Sequence, residues 1–391
     1  MTPAIVVVGY NRPESLKRLL FSLTKAKFDG FTDINLVISI DKSDGDSVVN
    51  IARDFDWLFG EKTVLTYDSH LGLKEHIFKC GDLTERYDAV IVLEDDLFVS
   101  PCFYLYAEEA LKFYEDEERI GGISLYNIRI NETATRPFEP LHDGNDIYFL
   151  QLPSSSGQAW TKKQWSEFRS WYECNKDFND GDILTLPFNI AKWPESSWKK
   201  CFVGYLLAQK KYFVYPRISL TTNFGDIGTH GNRSTDLVQV PLLMGNMKFR
   251  FCSIDDSLAV YDSFMEILPE CLSRMNSRLK DYDFEVDLYG TKDLKRIHKD
   301  YVLTMKDCSR RDLSFARNMK PHETDIVFNN QGNILSLSKV SHCRENKLRD
   351  SSLLASLPYD IPFKLSIKRS LLLLRIFLGD IVRIIKELLS R

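Results

Sequence analysis

Five consecutive apolar residues, Ala89, Val90, Ile91, Val92 and Leu93, run directly into Glu94, Asp95 and Asp96. A β-branched run of that kind reads as a strand buried on both faces, and such strands lie inside parallel sheets. Three adjacent carboxylates at the mouth of a buried strand repel one another. Something positive has to hold them: a divalent cation, basic side chains, or the N-terminus of the helix announced by Ser100 and Pro101. Open α/β sheets bind ligands at that end of their strands, which points to a metal and a phosphate-bearing substrate; the plain alternative is a solvated acidic turn.

The residues before and after supply a sheet for that strand. Residues 3–10 (PAIVVVGY) form a first buried strand that stops at Asn11, Arg12 and Pro13. Pro13 suits the first turn of a helix in which Leu16, Leu19, Leu20 and Leu23 recur at helical spacing. Further strands at 34–40, 63–67, 89–93 and 120–125 alternate with helices at 48–55, 73–86 and 100–117. Such alternation implies right-handed crossovers and a mostly parallel, doubly wound α/β sheet. Where a dinucleotide-binding fold would show GxGxxG, this chain has Gly9-Tyr10-Asn11-Arg12-Pro13-Glu14, which disfavours an NAD site of that kind. Arg12 then stands in for backbone amides as the phosphate holder, or else is a surface ion-pair partner.

Beyond residue 126 the pattern changes. A polar, turn-rich stretch at 127–145 precedes a strand at 147–152, and residues 153–160 lead into a helix whose Trp165 and Phe168 read as core. A helix at 195–211 and a strand at 212–218 come next. The loop 221–232 then gathers glycines, asparagines, Asp226 and His230, as a segment that closes over a substrate or as a long connector. Residues 235–362 show strand-like pieces at 325–328 and 334–337 and a helical region near 291–305, without recognisable chemistry. Residues 363–391 are rich in Lys and Arg, have only Asp380 and Glu387 as acids, and carry a broad apolar face from Leu371 to Leu389. A basic amphipathic helix suits an anionic membrane surface; the alternative is a helix docked on protein.

With 391 residues, 44% hydrophobic and 27% charged, the chain can build a large core or two domains. Its net charge of -4 argues against nucleic acid as a partner. Eight cysteines with neither CxxC pairs nor Cys/His clusters read as free thiols of a reducing cytoplasm. The chain opens on a strand-like run, without the look of a signal peptide, and no uninterrupted apolar run reaches the length of a membrane span. The expectation is a cytoplasmic protein, soluble or peripheral on the inner face of a membrane.

The strings PAIVVVGYNRPESLKRLL, ISIDKS, AVIVLEDDLFVSPCFYLYAEEALKFY, GGISLYN, SSGQAWT and YPRISLTTNFGDIGTHG occur in that order. Together, over residues 3–232, they resemble the N-acetylglucosaminyltransferase I family (glycosyltransferase family 13) and its bacterial relatives. The resemblance implies a GT-A fold: a nucleotide-sugar-binding half at 1–130, an acceptor-side half at 131–235, a C-terminal extension at 236–362 and the amphipathic helix at 363–391. It implies a UDP-sugar donor. Asp96 would bind Mn²⁺ or Mg²⁺, Asp95 would lie near the ribose beside Glu94, and Arg12 would reach the diphosphate. Asp41 would read the uracil edge, and His230 would sit in a loop that orders over the donor, with His70 and Lys74 near further nucleotide contacts. The acceptor would be a glycan or lipid-linked glycan, attacked with inversion and therefore needing a base. The family's base is an aspartate beside a tryptophan, whereas this chain has Glu195-Ser196-Ser197-Trp198-Lys199-Lys200. That leaves Glu195 or Asp226 as base, or an impaired enzyme. The rival readings are a nucleotidyltransferase and a non-catalytic nucleotide- or glycan-binding protein.

Overall fold

The computed structural model describes residues 1–176, 186–226, 237–345 and 359–360. His230 and the helix expected at 363–391 lie outside the described residues.

The first part of the chain folds as β1 (Ala4–Gly9), α1 (Pro13–Thr24), β2 (Leu36–Ile40), α2 (Ser47–Asp54), β3 (Lys62–Thr66), α3 (Leu73–Asp82), α4 (Thr84–Tyr87) and β4 (Ala89–Glu94). Next come β5 (Leu97–Val99), α5 (Phe103–Phe113), β6 (Ile120–Ser124), the hairpin β7 (Ile130–Asn131) and β8 (Arg136–Pro137), and β9 (Ile147–Leu150). They lead to β10 (Gln158–Thr161), α6 (Lys162–Cys174), α7 (Phe188–Ala191), α8 (Trp198–Ala208), β11 (Tyr212–Pro216) and β12 (Thr221–Asn223). The remainder comprises β13 (Val260–Tyr261), α9 (Pro269–Met275), β14 (Phe284–Asp287), β15 (Tyr301–Thr304), β16 (Leu313–Phe315), α10 (Glu323–Val327) and β17 (Leu335–Lys339).

The fold is mixed α/β around one large, mostly parallel sheet of order β13-β9-β11-β6-β10-β4-β1-β2-β3. Every residue of β1 and β2 is buried, as helices on both faces require, and so are the five apolar residues of β4. Strands β3, β2, β1 and β4 run parallel, and β10 is inserted antiparallel between β4 and β6. From β1 the chain builds outward through β2 to β3, then returns to place β4 on the other side of β1. The order therefore reverses between β1 and β4, and ligands of such sheets bind outside the carboxyl ends of the strands at that reversal.

A smaller sheet has the order β14-β15-β17-β16. One contiguous cluster of buried apolar side chains joins Val92, Trp165 and Phe168 to Phe284 and Leu337. Among the described residues no helix is long and apolar enough to cross a membrane.

Three expectations are corrected. The piece at 325–328 is helical within α10, where the Asp325 carboxylate accepts the Asn318 and Met319 N–H groups at 2.7 and 2.8 Å and closes a compact turn that local β-propensity does not express. The region near 291–305 is not a helix: β15 pairs parallel with β14 and antiparallel with β17, so sheet pairing overrides local pattern. Finally, Cys308 and Cys343 face each other across an isolated antiparallel bridge and form a disulfide, whereas the other six cysteines are free.

Candidate functional site

Adjacent strands bring residues far apart in sequence to one place. In the β1–β4 ladder Val8 lies opposite Glu94, so the segments that leave β1 and β4 meet at the sheet's carboxyl edge. Arg12, at the N-cap of α1, reaches across: Nη1 donates to Asp96 Oδ2 at 3.0 Å and Nη2 donates to Asp95 Oδ1. The counter-charge demanded by the acidic triplet is thus a basic side chain in this structure. Asp96 Oδ1 also accepts from Asn223 Nδ2 at 3.3 Å, and its carbonyl accepts the Phe224 N–H at 3.0 Å, which ties the end of β12 to the acids.

One guanidinium does not balance three carboxylates. Glu94 Oε1 and Asp95 Oδ2 are buried without a hydrogen-bond partner. Burial, together with the Asp96 and Asp95 charges, pushes the Glu94 carboxyl upward, and burial lifts Asp95 to about 6 against the pull of Arg12. Partnerless buried carboxylate oxygens in an acidic crevice fit a divalent cation that completes its shell with substrate phosphates. Among the described residues no group of three or more His, Cys, Asp or Glu side chains is placed to hold a metal unaided.

Asp41 directly succeeds β2, its N–H donating to the Gly9 carbonyl at 2.9 Å. Its carboxylate is only 3% exposed. Oδ1 accepts the Lys42 and Leu71 N–H groups at 2.7 and 2.8 Å; Oδ2 accepts the Gly72 N–H at 3.0 Å and lies 2.9 Å from His70 Nδ1. Gly72 has φ +77°, a conformation that favours glycine, and this lets two successive amides converge on one carboxylate. Four donors occupy the four lone-pair sites of Asp41. His70 in turn lies against Tyr10, ring centroids 4.9 Å apart. Beneath them His76 Nε2 lies 2.8 Å from Ser39 Oγ, and burial pushes this imidazole down to about 4.

The two candidate bases are placed differently. Asp226 Oδ2 accepts from Ser15 Oγ at 2.7 Å and from Arg18 Nη2, and the Arg18 guanidinium lies 3.8 Å over the Phe224 ring. Glu195 is exposed, and its backbone carbonyl accepts from Lys74 Nζ at 3.2 Å. A cleft of about 490 Å³ collects Arg12, Asp41, Glu94, Asp95, Asp96 and Asp226; beside Glu195, it is Ser196 that lines it. Sequence reasoning missed Tyr10, His76 and the Ser15–Arg18 clamp. Their only sequence signal was position, since Tyr10 comes directly after a strand and Ser15 and Arg18 sit one helical turn apart.

No family model matches the chain. Over 246 residues, 58% of this chain and 48% of the relative, it is 22% identical to the alpha-1,3-mannosyl-glycoprotein 2-beta-N-acetylglucosaminyltransferase of Arabidopsis thaliana; it spans about half the length of that curated relative. Among solved structures, TarS 1–349 of S. aureus in complex with UDP-GlcNAc is 13% identical, with 58% of this chain and 60% of that one covered and a TM-score of 0.36. The mannosyltransferase PcManGT from Pyrobaculum calidifontis in complex with GDP-Man and Mn²⁺ is 10% identical, with 56% and 58% covered and a TM-score of 0.32.

Proposed function

We propose that this chain is a GT-A glycosyltransferase that moves a sugar from a UDP-sugar to a growing glycan or lipid-linked glycan, with inversion and with Mn²⁺ or Mg²⁺. The observation that carries the reading is the cleft at the β1–β4 reversal, where Arg12 meets Glu94, Asp95 and Asp96. The name of the curated relative supports it.

In this reading Arg12 leaves Asp95 and Asp96 for the diphosphate, where a guanidinium fits two phosphate oxygens at once. Asp96 is the ligand for the ion, Asp95 lies toward the ribose, and Glu94 backs them. When bound, the ion neutralises charge on the departing diphosphate. Asp41 acts on the uracil through the 70–72 turn that it holds, since its own oxygens are engaged. The proton of the acceptor hydroxyl goes to Glu195 or Asp226. We place the enzyme on the cytoplasmic face of an anionic membrane through residues 363–391.

One observation favours a second reading, a non-catalytic nucleotide- or glycan-binding protein. Asp226 is clamped by Ser15 and Arg18, and Glu195 is not among the residues lining the cleft. A screen of UDP-sugars with Mn²⁺, read as hydrolysis and transfer alongside UDP calorimetry, separates the two. UDP binding with neither hydrolysis nor transfer replaces the enzyme by the binding protein.

A further inference from the structure

We propose that a second cavity, of about 600 Å³ and larger than the cleft, is a sugar-binding site for a neutral oligosaccharide, holding the part of the acceptor remote from its reacting end. The inference rests on the glycosyltransferase reading. The cavity opens where α7 and α8 meet the C-terminal sheet, and its size falls within the range of about 300–1,000 Å³ usual for small-molecule sites.

Its walls combine two kinds of group. Phe188 and Leu207 face it from one side, Phe264 and Ile297 from the other. Phe188 is 55% exposed, so this ring is held at the rim although the core does not need it there. Between the apolar walls the Lys292 ammonium donates to Asp262 Oδ2 and Glu285 Oε1, and the Lys292 N–H donates to Asp287 Oδ1 at 2.9 Å. Lys292 is buried, and the two carboxylates on it are fixed in direction. Cation and anions offset one another, so the cavity does not select an ionic ligand. The Thr291 hydroxyl lines the same space, buried and without a partner. Flat apolar rings, fixed carboxylate acceptors and an unmatched hydroxyl together suit a pyranose, which presents an apolar face and a rim of hydroxyl donors and acceptors.

The cavity also has the right neighbour. Phe188, Ala191 and Lys192 line it, and Ser196, four residues further on, lines the donor cleft. Four residues span at most about 14 Å, so one short oligosaccharide reaches both.

The test uses the full-length protein on an array of neutral and anionic oligosaccharides of increasing length, with Phe188→Ala, Thr291→Val and Asp96→Asn compared with the unaltered chain. A neutral oligosaccharide should bind, equally well to Asp96→Asn, and roughly tenfold or more weakly to Phe188→Ala and Thr291→Val, while both cavity variants keep UDP affinity by calorimetry. Phe188 is exposed, so its truncation does not endanger folding. Absence of any neutral ligand overturns the proposal, as does binding that Asp96→Asn abolishes and both cavity variants retain. If the array result holds but UDP is not bound, the donor reading falls and the sugar site stands.

Discussion

Arg12 is the one cation bound to Asp95 and Asp96 among the described residues, and its removal therefore has two effects. Arg12→Ala should weaken UDP binding and also lower stability by about 1–3 kcal/mol, because it strands charged acceptors that are nearly buried. Asp96→Ala should abolish metal-dependent UDP binding in calorimetry; affinity that stays the same with and without Mn²⁺ would remove Asp96 as the ligand. His76 gives a pH signature. Its folded value of about 4 lies below the unfolded value of about 6.5, so between the two the unfolded chain takes up a proton that the folded one refuses. Its stabilising contribution is complete above pH 6.5 and fades as pH falls toward 4. The His76 ring resonances should titrate near 4, and His76→Gln should flatten that part of the stability profile. Arg12 and the acids were legible in the sequence because each stands just past a strand run. The true task of Asp41 was not, since its donors from residues 70–72 belong to a turn some thirty residues away.

Elements were legible where one period dominates. The strands of β1, β2 and β4 are apolar runs buried to the last apolar residue, and Trp165 and Phe168 are core as expected. The strand β10 was not legible: QAWT is short, comes after a run of serines, and owes its conformation to β4 and β6 on either side. The packing of α3 on α6 offers a test. A Cβ at Gly81 would sit 2.2 Å from the Trp165 ring, whose Nε1 donates to Asp82 Oδ1 at 2.7 Å. Gly81→Ala gains about 1 kcal/mol of helix propensity, yet forcing the ring aside costs about 1–3 kcal/mol. The urea midpoint should fall; a rise would mean that α3 and α6 can separate freely.

At the scale of the molecule, the resemblance over residues 3–232 placed the cleft correctly at the end of the acidic strand, whereas the C-terminal sheet stayed illegible because its strands are short and polar-interrupted, as in LSLSK. The disulfide tests that region. It closes a loop of 35 residues, a constraint worth about 2–4 kcal/mol, so a reductant should lower the thermal midpoint of the protein and leave a Cys308→Ser, Cys343→Ser double variant unmoved. Deleting residues 370–391 should release the protein from anionic liposomes in a pelleting assay; undiminished pelleting would refute the anchor.

The antiparallel strand β10 carries a consequence for biosynthesis. All four strands of the β3-β2-β1-β4 block lie within the first ninety-four residues to leave the ribosome, so this block can assemble while the rest is still being made. Until Gln158–Thr161 emerges, the outer edge of β4 is an open row of amides and carbonyls, the kind of edge that recruits other chains. A nascent chain is therefore most exposed to aggregation over the interval from Glu94 to Thr161, and truncations ending inside it should be the insoluble ones.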